Sequence, residues 1–566
     1  MLSVIIIWIY MFLTTFLIGY GILGALTRYI PYRIRYIDSY LMCGLAGVTV
    51  YAQFFSLFGR IGPAANLIMC VAGLATAWFG RGKHRGMLWK VWSDIRGNQM
   101  GERGRMVCIL FLFLLFAYGA SRGIIHYDTS LYHAQSIRWL EEYGAVKGLG
   151  NLHLRLAYNS SSFALSALYS MAFLNGQSYH CAAGWMAFLL AVSCMKIFGS
   201  LRAGRLRTSD FVRVMCIYYL VNIFDEMISP ASDYFMVLTA FYIVMRWIDL
   251  LEEEERSSLP YAMLCVLGVF LMTVKLSAAL ILLLTIYPAY YLVKEKRFKE
   301  ILVYLTFGFV TTVSFFARNV LISGWLIYPL TQIDWFDVAW KIPRGMAEYD
   351  AREIQVWGRG YADVTRYDIS MREWLPDWFH ALAGTDKLFV AAAAVSVVLL
   401  LIYGIGMVCG LWRKRWDILL VQITVAGSFL FWLCTSPLMR YGCVYVYLTF
   451  AVVLGGIYDA FVSVGRVSAG SKAIRLSCVA AVTVLLVYKC VALGREIVAS
   501  YVNDYWIVQK DYDNYETSSY EIEGVTFYYP KEGDQVGYDS FPSAPVKTEV
   551  EFLGQDLSDG FKTIGE

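Results

Sequence analysis

The sequence predicts an all-α polytopic membrane protein with about 14 transmembrane helices. Of its 566 residues, 58% are hydrophobic and only 16% are charged, whereas soluble domains carry about 25% charged residues. The apolar residues fall in runs of about 16–23, close to the length that crosses a hydrocarbon core of roughly 30 Å. No soluble stretch is large enough for a Rossmann-type catalytic domain. Any chemistry must therefore come from loops and helix ends at the membrane surface.

The predicted spans divide the chain into three regions. Residues 1–105 form an N-terminal transmembrane bundle and a cytoplasmic loop, residues 106–494 a transmembrane core, and residues 495–566 a polar tail or small module. In the tail, Tyr528–Asp534 predicts a strand followed by a turn. The individual spans are predicted at 3–24, 39–58, 62–79, 106–124, 180–199, 209–225, 234–249, 259–274, 277–293, 300–316, 387–409, 416–434, 442–461 and 476–494.

Lysine and arginine set the predicted orientation, because short loops rich in these residues stay in the cytoplasm. Such loops occur at 28–35, 81–105, 294–299, 413–415 and 466–475. Both chain ends and the large loops 125–179 and 317–386 are then expected outside. This arrangement requires 159–176 to be a juxtamembrane or re-entrant helix. It also divides Pro260–Tyr291 into two short spans that turn near Lys275 at the outer face.

Charge and cysteine content argue against other classes of protein. The net charge of +4 is too small to favour a nucleic-acid partner. The 12 cysteines are scattered without a Cys-x-x-Cys pair, so neither a disulfide framework nor a cysteine metal cluster is expected. His126, His133 and His153 lack the spacing of a closed zinc site, which favours interfacial hydrogen bonding for them.

Asp128 is the leading candidate catalytic residue. It follows the apolar run Val107–Gly123, at the point where the predicted span leaves the membrane, and charge at membrane depth is costly enough to mark a functional site. An amphipathic helix is predicted directly after it. One face carries Tyr132, Ser136, Trp139, Leu140 and Tyr143, and the other carries Gln135, Arg138 and Glu142. The alternative is that Asp128 only caps this helix, although Leu131 excludes a capping box.

The region around Asp128 resembles the first external loop of GT-C glycosyltransferases, such as protein O-mannosyltransferases and aminoarabinose transferases. The shared pattern is a span, an acid, an interfacial aromatic helix, a second interfacial helix at Ser160–Leu174 and a span beginning near His180. Three spans precede the one that leads to Asp128 here, whereas many GT-C enzymes place the acid after their first span. Further segments are similar to an uncharacterised bacterial family of multi-pass membrane proteins. These segments are Tyr127–Thr129, Leu149–His153, Tyr158–Ser161, Gly533–Tyr538 and Phe541–Ser543.

The GT-C resemblance implies an inverting glycosyltransferase with Asp128 as its catalytic base. Its donor would be a sugar on a polyprenyl-phosphate carrier in the bacterial inner membrane. Its acceptor would be a cell-surface glycan, a lipid-linked oligosaccharide or a protein on the extracytoplasmic face, with membrane lipid as the remaining partner.

The same resemblance implies that Lys275, Arg318 and Arg440 bind the donor phosphate. Arg318 precedes Gly324–Pro329, which matches the Tyr-Pro end of an Arg-Asn…Tyr-Pro pattern, and Arg440 lies in a Pro…Arg-Tyr element. Cations at these places would offset the negative charge that develops on the leaving phosphate. The alternatives are a snorkelling lysine and arginines that anchor the chain at the interface.

Substrate binding is predicted for residues near Asp128 and on the same face. They are Tyr127, Tyr132, His133, Asn159, Asp225, Glu226 and Asp233. In metal-dependent GT-C members a second external acid helps to hold a divalent cation. Asp128 stands in no Asp-x-Asp motif, so neither a metal nor another cofactor is expected, with a divalent cation as the second choice. Ordinary polar loop chemistry is the alternative for the three acids.

Two other functions remain open at this point. A polysaccharide polymerase or ligase would depend more on external arginines than on one acid. A transporter or flippase of a lipid-linked glycan would carry charge near the midplane and would often show paired halves. The sequence has no paired halves, and its candidate charges gather at one predicted surface.

Overall fold

The computed structural model describes residues 1–79, 100–411, 415–463, 472–499 and 505–564. Parts of the predicted basic loops at 81–105, 413–415 and 466–475 lie outside these described residues. The described chain is mostly helical, with four short strands near its C-terminal end.

The helices follow one another in the order of the chain. The first ten are α1 (Leu2–Tyr29), α2 (Ile37–Ser56), α3 (Pro63–Phe79), α4 (Met100–Gly119), α5 (Ala134–Glu142), α6 (Leu149–Leu152), α7 (Ser161–Tyr169), α8 (Ala182–Cys194), α9 (Lys196–Ala203) and α10 (Thr208–Asn222). The others are α11 (Ser232–Glu252), α12 (Ser258–Val274), α13 (Ile286–Lys294), α14 (Phe298–Ser323), α15 (Arg344–Gly358), α16 (Met371–Ala381), α17 (Gly384–Val408), α18 (Trp416–Thr435), α19 (Met439–Ser463) and α20 (Lys472–Ala499). A π-helical turn occupies Thr129–His133, and 3-10 segments occupy Leu154–Ala157, Ala172–Leu174, Leu276–Thr285 and Val364–Asp368.

The prediction of an all-α membrane protein is confirmed. Within the described ranges, nine helices are long and apolar enough to cross a membrane. They are Leu2–Tyr29, Ala182–Ala203, Ser232–Glu252, Leu276–Lys294, Phe298–Ser323, Gly384–Val408, Trp416–Thr435, Met439–Val462 and Lys472–Ala499. The other five predicted spans coincide with helices that are shorter or less apolar, so the count of fourteen stays a prediction. Helix α11 is buried along its whole apolar window, so it lies inside the helical bundle.

The structure shows the geometry of segment 159–176 and of the chain around Lys275. Helix α7 has nine residues and rises about 14 Å, which is too short to cross a bilayer core of roughly 30 Å. The chain breaks helical geometry at Lys275, with φ −153° and ψ 123°. A Cβ placed on Gly268 would lie 3.3 Å from Ile281 and 3.4 Å from Leu282. The segments before and after Lys275 therefore fold against each other, as the predicted turn requires.

Small residues let α1 and α2 approach closely. A Cβ on Gly19 would lie 1.9 Å from the carbonyl oxygen of Tyr40, and a Cβ on Gly44 would lie 1.7 Å from that of Thr15. No L side chain fits at such distances. Backbone contact through small residues is the usual basis of helix association in membranes, where apolar side chains gain little by leaving lipid.

Buried charges join the helices at the end of α11 that is far from Asp128. Arg213 donates to Asp210 at 2.8 Å and also pairs with Asp249. Lys196 lies 3.0 Å from Asp249, and Arg246 pairs with Asp38. Each of these three cations thus has a carboxylate partner, which offsets the cost of desolvating a charge.

A small β module follows α20. Strand β1 (Thr517–Ile522) pairs antiparallel with β2 (Val525–Pro530), and β3 (Val550–Phe552) with β4 (Phe561–Thr563). The strand predicted at the start of Tyr528–Asp534 is present. The module shares a core with α5, because the Trp139 ring lies 4.8 Å from that of Phe541 and 5.8 Å from that of Phe561.

The module also covers the predicted polar face of α5. Gln135 is 1% exposed and donates to the carbonyls of Gly537, Tyr538 and Ser540 at 2.9–3.3 Å. Arg138 donates to Tyr538 and Asp539 carbonyls. Two residues of the predicted polar face, Gln135 and Arg138, thus meet backbone acceptors of the module, whereas the third, Glu142, is exposed.

Candidate functional site

Four elements meet around Asp128. They are the loop after α4, the first turn of α11, the turn between α12 and the next 3-10 segment, and the first turn of α19. They bring together five side chains that we call the Asp128 cluster, namely His126, Asp128, Asp233, Lys275 and Arg440. All five sit at helix ends or in a loop, where Asp128 and Asp233 are buried and the other three are partly exposed.

Asp128 is ion-paired with Arg440. Its Oδ2 lies 2.9 Å from Arg440 Nη2, and the two side chains are 11% and 31% exposed. The Asp128 side chain makes no capping hydrogen bond to the π-helical turn that follows it. The interpretation of Asp128 as a mere helix cap is therefore wrong, and its carboxylate instead faces a cation more than three hundred residues away in sequence.

His126 lies between Asp128 and Arg440. The backbone N–H of Asp128 donates to Nδ1 at 3.1 Å, and Arg440 Nη1 lies 3.3 Å from Nε2. In both contacts the His126 ring would have to accept a hydrogen bond. A neutral imidazole has one acceptor nitrogen, so only one of the two contacts is a hydrogen bond at a time. Burial lowers the pKa of His126, with Asp128 opposing this and Arg440 adding to it. The ring is therefore neutral at pH 7 and acts as an acceptor.

Lys275 forms a second ion pair beside the first. It pairs with Asp233, and its Nζ lies 4.0 Å from the centre of the Tyr441 ring. Arg440 contacts the same residue, since its Nη2 lies 3.4 Å from the Tyr441 hydroxyl. Tyr441 thus links the two cations. Position 442 must be glycine, because a Cβ there would lie 2.3 Å from the Trp432 ring.

The predicted substrate-binding residues have different surroundings. Tyr127 is half-exposed and donates to Asp534 of the module. Tyr132 and His133 are buried, with ring centres 4.3 Å apart. Burial holds the pKa of His133 well below its usual value and that of Tyr132 well above. Asn159 is also buried and donates to the Phe315 carbonyl at 2.9 Å.

The structure does not keep the three predicted acids in one group. Asp233 belongs to the Asp128 cluster, and Glu226 accepts from the Tyr234 hydroxyl. Asp225 turns away to Arg122 at 3.1 Å and Lys489 at 2.7 Å. Among the described residues, no group of three or more His, Cys, Asp or Glu side chains is arranged to hold a metal ion.

Arg318 also stands apart from the cluster. It is 3% exposed, and no hydrogen bond or ion pair joins its guanidinium to another residue in the described part of the chain. Of the three cations predicted to bind the donor phosphate, Lys275 and Arg440 lie together and Arg318 does not join them.

Sequence reasoning missed a second polar group next to Asp128. Asp350 is buried and accepts from Tyr158 at 2.7 and 2.8 Å and from Tyr328 at 2.9 Å. Burial raises its pKa, and nearby Arg155 opposes the shift. The Tyr158 ring lies 5.8 Å from that of Tyr132, so this group fixes loop 317–386 against the Asp128 loop. Tyr158 and Tyr328 both stand in sequence motifs, but nothing in the sequence marks Asp350.

A family model described as a domain of unknown function, DUF8201, matches residues 1–447. The chain belongs to the DUF8201 family. The matched residues include the whole Asp128 cluster, Arg318 and Asp350, whereas α20 and the β module lie beyond them. No curated protein and no solved structure matches the chain.

Proposed function

We propose that this DUF8201 protein is a GT-C-type inverting glycosyltransferase. It transfers a sugar from a polyprenyl-phosphate carrier to a cell-surface glycan, a lipid-linked oligosaccharide or a protein. The supporting observation is the Asp128–Arg440 pair at 2.9 Å beside the Lys275–Asp233 pair. Two buried carboxylates and two partly exposed cations thus lie within one small group at the helix ends, and the reaction needs a base beside cations of this kind.

In the proposed reaction Asp128 acts as the base, and Arg440 and Lys275 stabilise the leaving phosphate. The acceptor oxygen attacks the anomeric carbon, Asp128 takes its proton, and the bond from that carbon to the carrier phosphate oxygen breaks. The electron pair of the broken bond stays on the phosphate, where Arg440 and Lys275 offset the charge. Attack opposite the leaving phosphate inverts the anomeric centre.

The ion pairs give the site a resting state. Without substrate, Arg440 neutralises Asp128 and Lys275 neutralises Asp233. A lipid phosphate offers Arg440 a bidentate partner and competes with Asp128 for it. Donor binding would then leave the Asp128 carboxylate free to accept a proton, which couples base activation to the presence of the donor.

The proposed location is the bacterial inner membrane, with the Asp128 cluster and both chain ends on the extracytoplasmic side. The basic loops of the sequence support this orientation. Cysteine labelling with a membrane-impermeant reagent tests it, using Ser540→Cys in the module and Ser257→Cys at the opposite end. Labelling of the second site in intact cells, with the first protected, would reverse the orientation.

A transfer assay tests the function. The protein in nanodiscs is given undecaprenyl phosphate carrying radiolabelled hexoses or pentoses, with crude membrane extract as acceptor. We expect Asp128→Asn to lose at least a hundredfold in rate, since a positioned base contributes about 10²–10⁴-fold. Asp337→Asn, at an exposed acid of loop 317–386, is the matched control. Full transfer by a folded, normally expressed Asp128→Asn protein would sink the proposal, and loss only in arginine variants would favour a polymerase or ligase.

A further inference from the structure

Arg318 is a buried cation without a counter-charge. Four other arginines that are similarly buried each pair with a carboxylate, namely Arg122, Arg155, Arg213 and Arg246. Arg318 is 3% exposed, and its Nε and Nη1 atoms are fully buried without an acceptor. A desolvated charge of this kind is costly unless something compensates it. An anionic ligand would supply the missing partner.

Two further polar atoms near Arg318 have no partner. Ser314 lies one turn earlier on the same face of α14, and its buried hydroxyl makes no hydrogen bond. Asn159 uses its Nδ2 on the Phe315 carbonyl at 2.9 Å, which leaves Oδ1 buried and unpaired. A guanidinium and a hydroxyl can donate to anionic oxygens, and Oδ1 can accept from a hydroxyl of the same head group.

An apolar groove lined by α1, α2, α11, α12 and α14 reaches Thr311, about one helical turn before Ser314 of this group. Its volume is about 320 Å³, and its wall on α14 is formed by Phe307, Val310 and Thr311. Thr311, Ser314 and Arg318 follow at i, i+3 and i+7, so they share one helix face. Long helical side chains point toward the N-terminus of their helix, which on α14 is the direction from Arg318 to the groove.

Helix α12 forms another wall of the groove. Leu267 and Phe270 of α12 line it, and Ser160 donates to the Val274 carbonyl at 2.9 Å. Because Asn159 holds α14 and Ser160 holds α12, the chain at 159–160 bridges the two helices above the groove. An apolar cavity among membrane-spanning helices does not retain water, so a hydrocarbon chain is its natural occupant.

We propose that Arg318, Ser314 and Asn159 bind the phosphate head of a membrane lipid, one hydrocarbon chain of which lies in the groove between α12 and α14. The charge of the head complements the unpaired guanidinium, and the apolar wall complements the chain. In the described contacts this site is separate from the Asp128 cluster. It therefore stands whether or not the chain is a glycosyltransferase.

Native mass spectrometry of the full chain in neutral detergent tests the proposal. The probes are dioleoyl phosphatidic acid, dioleoylglycerol with the same chains and no phosphate, and inorganic phosphate. We expect one tightly retained phosphatidic acid molecule. Retention should fall at least tenfold in Arg318→Gln, and also in Thr311→Trp, which fills the groove and keeps the arginine. Arg344→Gln, at an exposed arginine (59% exposed), should retain the lipid.

Each contrary result overturns the proposal. Equal retention of dioleoylglycerol would mean that no phosphate is recognised, and displacement of the lipid by inorganic phosphate would indicate a site for the free ion. Unchanged retention in Arg318→Gln would exclude the arginine. Because the described residues give the buried Arg318 guanidinium no hydrogen-bond or ion-pair partner, the lipid-free Arg318→Gln protein should melt at or above the temperature of the unaltered chain. A lower melting temperature would assign Arg318 a structural role and reject the proposal.

Discussion

Asp128 Oδ2 lies 2.9 Å from Arg440 Nη2, although the two residues are far apart in the sequence. The pair joins the loop after α4 to the first turn of α19. Both side chains are partly shielded, so their attraction is stronger than that of an ion pair in open water. The contact therefore helps to hold the site together as well as to set its charge.

A double-mutant cycle with Asp128→Asn and Arg440→Gln measures this coupling. We expect a coupling energy of about 1–3 kcal/mol in the free energy of unfolding, because each single change leaves the other charge unpaired. The exposed pair Glu551–Lys562 (44% and 40% exposed) is the control and should couple by about 0.5 kcal/mol or less. A coupling energy near zero in the Asp128–Arg440 cycle would show that the two residues act independently.

Gln135 fastens the β module to α5. Gln135→Ala removes three donor contacts to module carbonyls and should cost about 1–3 kcal/mol, since the carbonyls lose their partner in a buried place. We expect faster proteolysis of residues 505–564 and faster amide exchange there. Glu142→Ala, at an exposed position on the same helix, should change neither rate. Unchanged protection in Gln135→Ala would mean that the module is held by its aromatic core alone.

The close contact of α1 and α2 makes Gly44 intolerant of any side chain. Gly44→Ala places a Cβ 1.7 Å from a backbone oxygen, so the helices must separate, at a cost of about 1–3 kcal/mol for an overpacked site. Thermal denaturation in detergent should show the loss. Gly24→Ala on α1 has open space around its Cβ and should melt like the unaltered protein. A Gly44→Ala protein with unchanged melting would contradict this close packing.

Buried histidines predict a dependence of stability on pH. Burial lowers the pKa of His180 to about 4, below its ordinary value of 6.5. Between these values the unfolded chain binds the proton and the folded chain does not, so stability rises with pH from about 4 to about 6.5 and is constant above. Melting temperatures should therefore increase from pH 5 to about pH 6.5 and then level off, and His180→Gln should reduce the slope. The exposed His380→Gln should keep it, and a slope that His180→Gln leaves intact would assign the effect to other groups.

The sequence identified part of the site because isolated charges at span ends are rare. Asp128, Lys275 and Arg440 each follow or precede an apolar run, and the structure brings these three together. Asp225 and Asp233 looked alike in sequence, but the turn between α10 and α11 sends them to different cations. The separation of Arg318 from the other two cations depends on how α14 is rotated in the bundle, which no local pattern encodes.

The covering of α5 also had no signal in the sequence. The sequence of a polar helix face is the same whether its side chains bond to water or to backbone carbonyls. Gln135 and Arg138 therefore did not indicate the β module. The turn at Lys275 was predictable because the apolar run was too long for one span. Asp350 was not, since a single acid in a polar loop does not differ from its neighbours.

The contact between Tyr127 and Asp534 spans 407 residues. The loop that carries Asp128 is therefore synthesised and inserted long before the module that holds it exists. Tyr127, Ser130 and Gln135 can reach their partners only after residues 534–540 have been translated. The order of synthesis therefore leaves the surroundings of Asp128 incomplete until the β module has been made.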